Sequence, residues 1–367
     1  MKPLHKLTFA AIFTACLALV GCGQDAADQS GAASAAVKQE TYNWKMVTAW
    51  PKNYPGLGTS AERLAERIDT MSNGRLKIKV YAAGELVPPM EVFDAVSRDT
   101  AEMGHGTAYY WKGKTDTAQF FTSVPFGVST IEMNAWLHKG GGLALWEEAY
   151  KPFGVKPFAI GNTAMQMGGW FNKEIHSIDD IKGLKIRMPG LGGEVLDRLG
   201  ATTVNLPGSE VFTALQTNAI DASDWVSPFN DLAFGLHKAA KYYYYPAWQE
   251  PQAVLELIIN QKAWDSLPAD LQAIVTEAAR AGNADMLDDF TWNNARALAE
   301  LKESGVQLRR FPDEVLAQME VESAQVLNEL ASKSDLNTRI WESMQSFQEQ
   351  ITKMHELSEK ELYNWRD

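Results

Sequence analysis

Between residues 41 and 47 apolar and polar positions alternate, with Tyr42, Trp44 and Met46 on one face, and the pattern predicts a strand. The run Trp50-Pro51-Lys52-Asn53-Tyr54-Pro55-Gly56 ends it as a loop. Thr59 and Glu62 have the spacing of a capping box, Leu64, Ile68 and Met71 follow at helical intervals, and Asn73-Gly74 stops the helix. Leu76, Ile78 and Val80 alternate again, a helix begins at Pro89, and a short strand follows near Glu102-Met103-Gly104. This β-α-β-α-β order predicts a largely parallel sheet covered by helices.

A second such series starts near Pro157-Phe158-Ala159-Ile160. It continues through Leu184-Lys185-Ile186-Arg187, a helix over 194–199, the strand Thr203-Val204-Asn205-Leu206, a helix over 210–217 and a strand over 219–225. Two α/β lobes facing each other make a cleft, and Arg187 and Asp224-Trp225 fall at carboxyl ends of strands, where open α/β sheets bind ligands. Beyond Gln261 the pattern turns helical, with Pro268 in a first-turn position and a run to Ser304-Gly305 longer than an ordinary globular helix. In the tail Ile340, Met344, Phe347, Ile351 and Met354 step by four and three, a seam that fits either packing on its own lobe or an intersubunit helix.

The chain begins with Lys2, Lys6 and an apolar run from Leu7 to Val20, the length of a secretory leader and too short to span a bilayer. Residues 1–21 are therefore expected to be removed. Leu19-Val20-Gly21-Cys22 resembles a lipobox, which makes Cys22 the expected acylation site. Residues 22–40 are rich in Ala, Ser, Gly, Gln and Asp and read as a tether between lipid and domain. That places the protein in the periplasm or on the cell surface, touching the membrane only through its lipid. Of 367 residues only Cys16 and Cys22 are cysteines, so the mature fold has no thiol for a disulfide, zinc site or nucleophile. The net charge of −12 becomes −14 once Lys2 and Lys6 leave, which argues against nucleic acid as a partner. It also repels an anionic ligand at long range, so binding an organic acid would require buried positive charge.

Arg187 is the candidate for that charge. Its planar fork can grip a carboxylate through two hydrogen bonds, and Met188-Pro189-Gly190 forces a turn that sets it at the sheet rim. Asp224 sits between Ser223 and Trp225 in a segment with few charges, where a lone carboxylate needs a partner. Arg187, Asp224 and a bound acid together carry −1. A cation resolves this, and the Gln166 amide oxygen, an Asp224 oxygen and a backbone carbonyl are the hard ligands that sodium or calcium takes. Tyr110 is the hydroxyl chosen to meet the 2-oxo or 2-hydroxy oxygen of the acid.

Motifs for catalysis are missing. His5, His105, His138, His176, His237 and His355 show no metal-ligand spacing, there is no G-x-S-x-G, and Val195 stands where the third glycine of a dinucleotide fingerprint would follow Gly190-Leu191-Gly192-Gly193. No organic cofactor is expected. A metal-dependent enzyme acting on a small organic acid is the alternative reading, and a helical scaffold lipoprotein a third.

Taken together, Gly84-Glu85-Leu86, Leu184-Lys185-Ile186-Arg187-Met188-Pro189-Gly190, Val211-Phe212-Thr213-Ala214-Leu215-Gln216, Gln166-Met167-Gly168-Gly169-Trp170-Phe171, Asp224-Trp225 and Tyr243-Tyr244-Tyr245-Pro246 resemble the DctP family, the extracytoplasmic solute receptors of TRAP transporters. The match is to the branch that binds 2-oxo monocarboxylates or lactate with a metal ion. The resemblance implies an α/β, two-lobe periplasmic-binding-protein-like fold (type II-like) with mixed sheets, an interlobe cleft, a hinge helix and long C-terminal helices. Its lobes would be residues 41–164 plus 252–300 and residues 165–251, with 306–367 as C-terminal helices serving as a dimerisation arm. It implies substrate contacts from Arg187, Gln166, Trp225 and Tyr110, and cation ligands from Gln166, Asp224 and the Trp225 carbonyl, with Glu250 as a further one. The partners implied are a small carboxylate, the membrane permease and a second copy of the chain. Where the family carries glutamate this chain has the shorter Asp224, which leaves sodium or calcium open.

Overall fold

The computed structural model describes residues 40–366; the leader, Cys22 and the tether up to residue 39 lie outside the described residues. Strand β1 (Tyr42–Thr48) buries Trp44 and Met46 as the alternation requires. Helix α1 (Leu57–Met71) starts two residues before Thr59: the Thr59 hydroxyl accepts the Gly56 N–H at 3.1 Å, so Thr59 is inside the first turn and Gly56, at φ 72°, makes the bend into it. Then come β2 (Leu76–Tyr81), α2 (Val92–Ser97), β3 (Met103–Gly106), α3 (Thr130–Lys139, with the Ser129–Glu132 capping box), α4 (Gly142–Tyr150) and β4 (Val155–Asn162). The chain passes on to β5 (Gly169–Phe171), β6 (Lys185–Arg187), α5 (Gly190–Arg198), β7 (Thr202–Val204), α6 (Gly208–Gln216), β8 (Ala222–Ser223), α7 (Pro228–Phe234) and β9 (Tyr242–Tyr245). It returns through β10 (Val254–Asn260) to α8 (Gln261–Ser266), α9 (Ala269–Glu303), β11 (Gln307–Arg310), α10 (Asp313–Ser332), α11 (Asp335–Leu357) and α12 (Glu359–Arg366).

The first sheet has the order β2-β1-β3-β10-β4 and the second β11-β9-β5-β8-β6-β7. Neither is as parallel as expected. In the first, β10 runs antiparallel to both β3 and β4; in the second, β5 runs antiparallel to β8 and β9. The predicted second series does not begin at Pro157: β4 closes the edge of the first sheet, and its partner β10 lies on the return leg of the chain. Nor is the region from residue 306 all helical, because β11 pairs in parallel with β9 before α10 begins.

Because β4 and β10 are neighbours, the two segments that leave their ends for the second sheet run side by side. Gln166 N–H donates to the Pro251 carbonyl at 2.9 Å, Thr163 N–H to Ala253 at 3.1 Å, and Ala253 N–H to the Thr163 hydroxyl at 2.9 Å. Helix α9, 35 residues long with Pro268 as its N-cap, packs on α1 and β4 of one half and on α7 of the other, which makes it the structural tie between the halves. It approaches β4 so closely that a side chain at Gly161 would lie 2.1 Å from the Met286 sulfur. In the tail, Ile340 and Met344 are buried as α11 packs on α10, α3 and α4, while Met354 is exposed. The first half of that seam is thus intrachain. No helix among the described residues is long and apolar enough to cross a membrane.

Candidate functional site

Arg187 is the last residue of β6 and faces Ser223 across the parallel pair with β8, so Asp224 and Trp225 follow immediately beside it. The Asp224 N–H donates to the Arg187 carbonyl at 2.9 Å. The guanidinium turns back over this junction: Nη1 donates to the Asp224 carbonyl at 2.9 Å and lies 3.4 Å from Asp224 Oδ2, Nε donates to the Leu206 carbonyl at 3.3 Å, and Nη2 to the Tyr110 hydroxyl at 3.4 Å. It stands 5.2 Å from the centre of the Trp225 ring, a cation–π distance. The Arg187 side chain is only 1% exposed. Burial opposes its charge, and the surrounding groups, Tyr110 and Asp224 first, outweigh that.

This guanidinium borders a small cavity, of about 20 Å³, at the junction of the halves. Trp225 and Val226 flank it from the second sheet; Trp50, Thr107, Tyr109 and Tyr110 close it from the loops that follow β1 and β3. The paired crossings supply Gln166 and Glu250. Gln166 is 7% exposed, its Nε2 donating to Thr163 Oγ1 at 2.8 Å and to Glu250 Oε1 at 3.4 Å. Its carbonyl oxygen Oε1 is buried without a hydrogen-bond partner among the described residues. Buried acceptors are rarely left so, which marks this oxygen as one that a ligand or ion completes.

The acids behave accordingly. Desolvation pushes the Glu250 carboxyl well above its ordinary range, the Asp224 charge pushes it further, and Arg187, Gln166 and Tyr109 do not bring it back. Asp224 is pushed up to about 6 by burial against the pull of Arg187 and of Gln249. The site holds two carboxyls for one guanidinium and is short of positive charge. No group of three His, Cys, Asp or Glu suited to a metal exists among the described residues. The oxygens that could hold a cation are therefore mixed: an amide, a carboxylate and a main-chain carbonyl. Such hard donors suit sodium or calcium rather than zinc.

Of the residues singled out from sequence, the structure brings Arg187, Gln166, Trp225, Tyr110 and Glu250 to the cavity wall. Asp224 is not part of that wall. Its carboxylate is fully buried behind Arg187, where Oδ1 accepts from Gln249 Nε2 at 2.9 Å. The carboxylate on the wall is that of Glu250, first weighed only as an additional ligand. Sequence reasoning missed Gln249, Thr163 and Tyr109. The available signal was the polar run Gln249, Glu250 and Gln252 in an otherwise apolar stretch; the structure buries all three. Gly208 also went unnoticed: a side chain there would lie 2.1 Å from the Trp225 ring, so only glycine lets the indole lie where it does.

Residues 46–334 match the family described as bacterial extracellular solute-binding protein, family 7. The chain is 42% identical over 367 residues to the monocarboxylate 2-oxoacid-binding periplasmic protein of Nostoc sp., covering 100% of this chain and 99% of that one. A TRAP periplasmic solute-binding protein of Pseudoalteromonas atlantica with bound sodium and pyruvate superimposes with a TM-score of 0.86 at 41% identity, over 89% of this chain and 99% of its own. One from Colwellia psychrerythraea with bound calcium and pyruvate gives 0.87 at 41% identity over the same shares. With two mixed α/β sheets, a shared helix and a buried arginine at their junction, the chain belongs to the DctP family of bacterial extracellular solute-binding proteins, receptors for transport and not enzymes.

Proposed function

We propose that this receptor captures a small 2-oxo or 2-hydroxy monocarboxylate of the pyruvate, 2-oxobutyrate or lactate class together with sodium or calcium. The observation that carries the reading is one cavity bordered by a buried guanidinium, Arg187, and a partnerless buried amide oxygen, Gln166 Oε1. Arg187 grips the ligand carboxylate. Gln166 Oε1, the Glu250 carboxylate and the Trp225 carbonyl are the cation ligands. When bound, the cation supplies a Lewis-acidic anchor for the carboxylate and its neighbouring oxygen. Asp224 keeps Arg187 in place and adds its charge from behind. Tyr110 meets the 2-oxo or 2-hydroxy oxygen.

Charge supports this. With both acids ionised, Arg187, Asp224, Glu250 and the ligand carry −2, which calcium neutralises; with Glu250 protonated they carry −1, which sodium neutralises. The cavity as it stands has room of only about 20 Å³, little more than one water, so the acid enters as the surrounding side chains give way. Relatives at 41% identity hold pyruvate with either ion.

The lobes in this reading are residues 41–164 with 252–300 and residues 165–251, the second extended by β11. The receptor delivers its ligand to the TRAP permease, tethered through acylated Cys22 and paired with a second copy through the exposed end of α11 and α12, where Leu357 is 83% and Trp365 86% exposed. Calorimetry on ligand-stripped protein tests the central claim. Pyruvate binds when sodium or calcium is present and fails when both are removed. Binding indifferent to cations overturns it. Radiolabelled palmitate and light scattering test the anchor and the pairing.

A further inference from the structure

One residue of the first half is set into the second half beside the site. Tyr54 lies in the loop between β1 and α1, yet its ring is stacked 4.3 Å from Phe234 of α7 at 28° and is 5% exposed. Its hydroxyl accepts the indole N–H of Trp225 at 2.9 Å and donates to the Asn230 carbonyl at 2.9 Å. In return Asn230 Nδ2 donates to the Pro55 carbonyl at 2.7 Å. Three hydrogen bonds and an aromatic stack thus join the eight-residue loop over 49–56 to a stretch of chain some 170 residues away. One of them ends on Trp225, whose ring borders the cavity, packs over Arg187 and is pinned by Gly208.

We propose that Tyr54 is a positioning residue that latches the closed receptor, holding Trp225 in its ligand-bound place only when the first half has swung onto the second. The inference rests on the proposed site but concerns what holds that site shut. Trp225 Nε1 is taken up by the Tyr54 hydroxyl, which is not part of the cavity wall, so the indole N–H is engaged by the other half and not offered to the ligand; that hydroxyl is its only partner among the described residues. Opening exposes that hydroxyl, the indole N–H and the Asn230 carbonyl to water, which satisfies them equally well. The latch therefore adds little to the stability of the open protein and acts on ligand release. Trp50 of the same loop borders the cavity itself, as does Leu57 at the start of α1, so the loop that carries the latch also carries part of the wall.

Tyr54→Phe keeps the ring and removes only the hydroxyl, leaving an indole N–H and a carbonyl buried and unpaired in the closed form. Stopped-flow tryptophan fluorescence with pyruvate and calcium, with sodium in a parallel series, reads the result. The expected outcome is a dissociation rate raised about tenfold, an association rate within about twofold of wild type, and an unchanged melting temperature for the ligand-free protein. An unchanged dissociation rate, or a lowered ligand-free melting temperature with unchanged release, makes Tyr54 a packing residue and overturns the proposal. Phe234→Leu, which keeps the hydrogen bonds and removes the stack, is expected to raise release by a smaller factor; a larger one than Tyr54→Phe also overturns it. Failure of the ligand reading shows separately, as wild-type protein that binds neither acid with either ion. The latch is then read from the distance between spin labels at Glu66→Cys and Gln216→Cys, which Tyr54→Phe lengthens if the hydroxyl holds the halves together and leaves unchanged if it does not.

Discussion

Replacing Arg187 by methionine keeps most of the side-chain volume and removes the charge, and the structure separates what that does to binding from what it does to folding. The guanidinium is fully buried, makes contacts at 2.9–3.4 Å with Asp224, Leu206 and Tyr110, and is the positive group set against Asp224 and Glu250. Truncating one member of a buried hydrogen-bonded charge pair costs about 2–5 kcal/mol in binding, which is roughly 30-fold to several thousand-fold in Kd at 1.4 kcal/mol per decade. The folded protein also loses its compensation for Asp224, and an uncompensated buried charge costs about 3–5 kcal/mol unless it takes up a proton. Asp224, already pushed up to about 6, does so in the variant near neutral pH, which lessens the loss of stability there. The double variant Arg187→Met/Asp224→Asn removes both members of the pair. It is therefore expected to regain most of the melting temperature and none of the affinity for pyruvate. Differential scanning calorimetry gives the first quantity and titration calorimetry, at fixed calcium, the second. A single variant that binds pyruvate within threefold of wild type refutes the grip on the carboxylate. A double variant that regains affinity refutes the separation of the two roles.

Three other outcomes follow from contacts elsewhere. Gly208→Ala places a methyl group where the Trp225 ring lies, 2.1 Å away, and is expected to weaken pyruvate binding at least tenfold in calorimetry while the fold, read by circular dichroism, survives; wild-type affinity would mean that the indole position is immaterial. Glu250→Gln keeps an oxygen ligand and removes one negative charge, so the preference for calcium over sodium, measured by competition, should fall; an unchanged preference would remove Glu250 from the ion site. Glu256, buried in β10 and accepting from Trp111 and from Tyr150 at 3.0 Å, is raised by burial to about 7 from 4.5. The folded protein then holds a proton that the unfolded chain has released, so Glu256 makes stability fall as pH rises from about 4.5 to 7, by on the order of 3 kcal/mol in total, and adds no slope above that. Denaturant midpoints for Glu256→Gln across this window should lose that component, and a slope equal to wild type would show that the carboxyl titrates normally.

How much of this was legible in the sequence depended on how far apart the interacting groups lie along the chain. Arg187 and Asp224-Trp225 could be read because chemistry and local turn signals coincide at strand ends, and Gln166 because its segment carries a recognisable pattern. What a side chain does once buried depends on the whole fold. Asp224 reads from sequence as an acid of the ion site; what the sequence does not show is that the register of β6 against β8 sets its carboxylate against Arg187 and Gln249, or that Glu250 reaches the wall because β4 and β10 pair so that their continuations run side by side. That pairing has no local signature: β4 read as the opening of a new series because its antiparallel partner arrives about 100 residues later. The same holds for Tyr54, a loop aromatic in an ordinary turn sequence, which gains its role only where Trp225, Asn230 and Phe234 surround it. Hydrophobic periodicity records which face of an element is buried and says nothing of which neighbour covers it. In a receptor whose site is assembled where two halves meet, the residues that bind are written in local chemistry, while those that decide when the site exists are written in contacts between the halves.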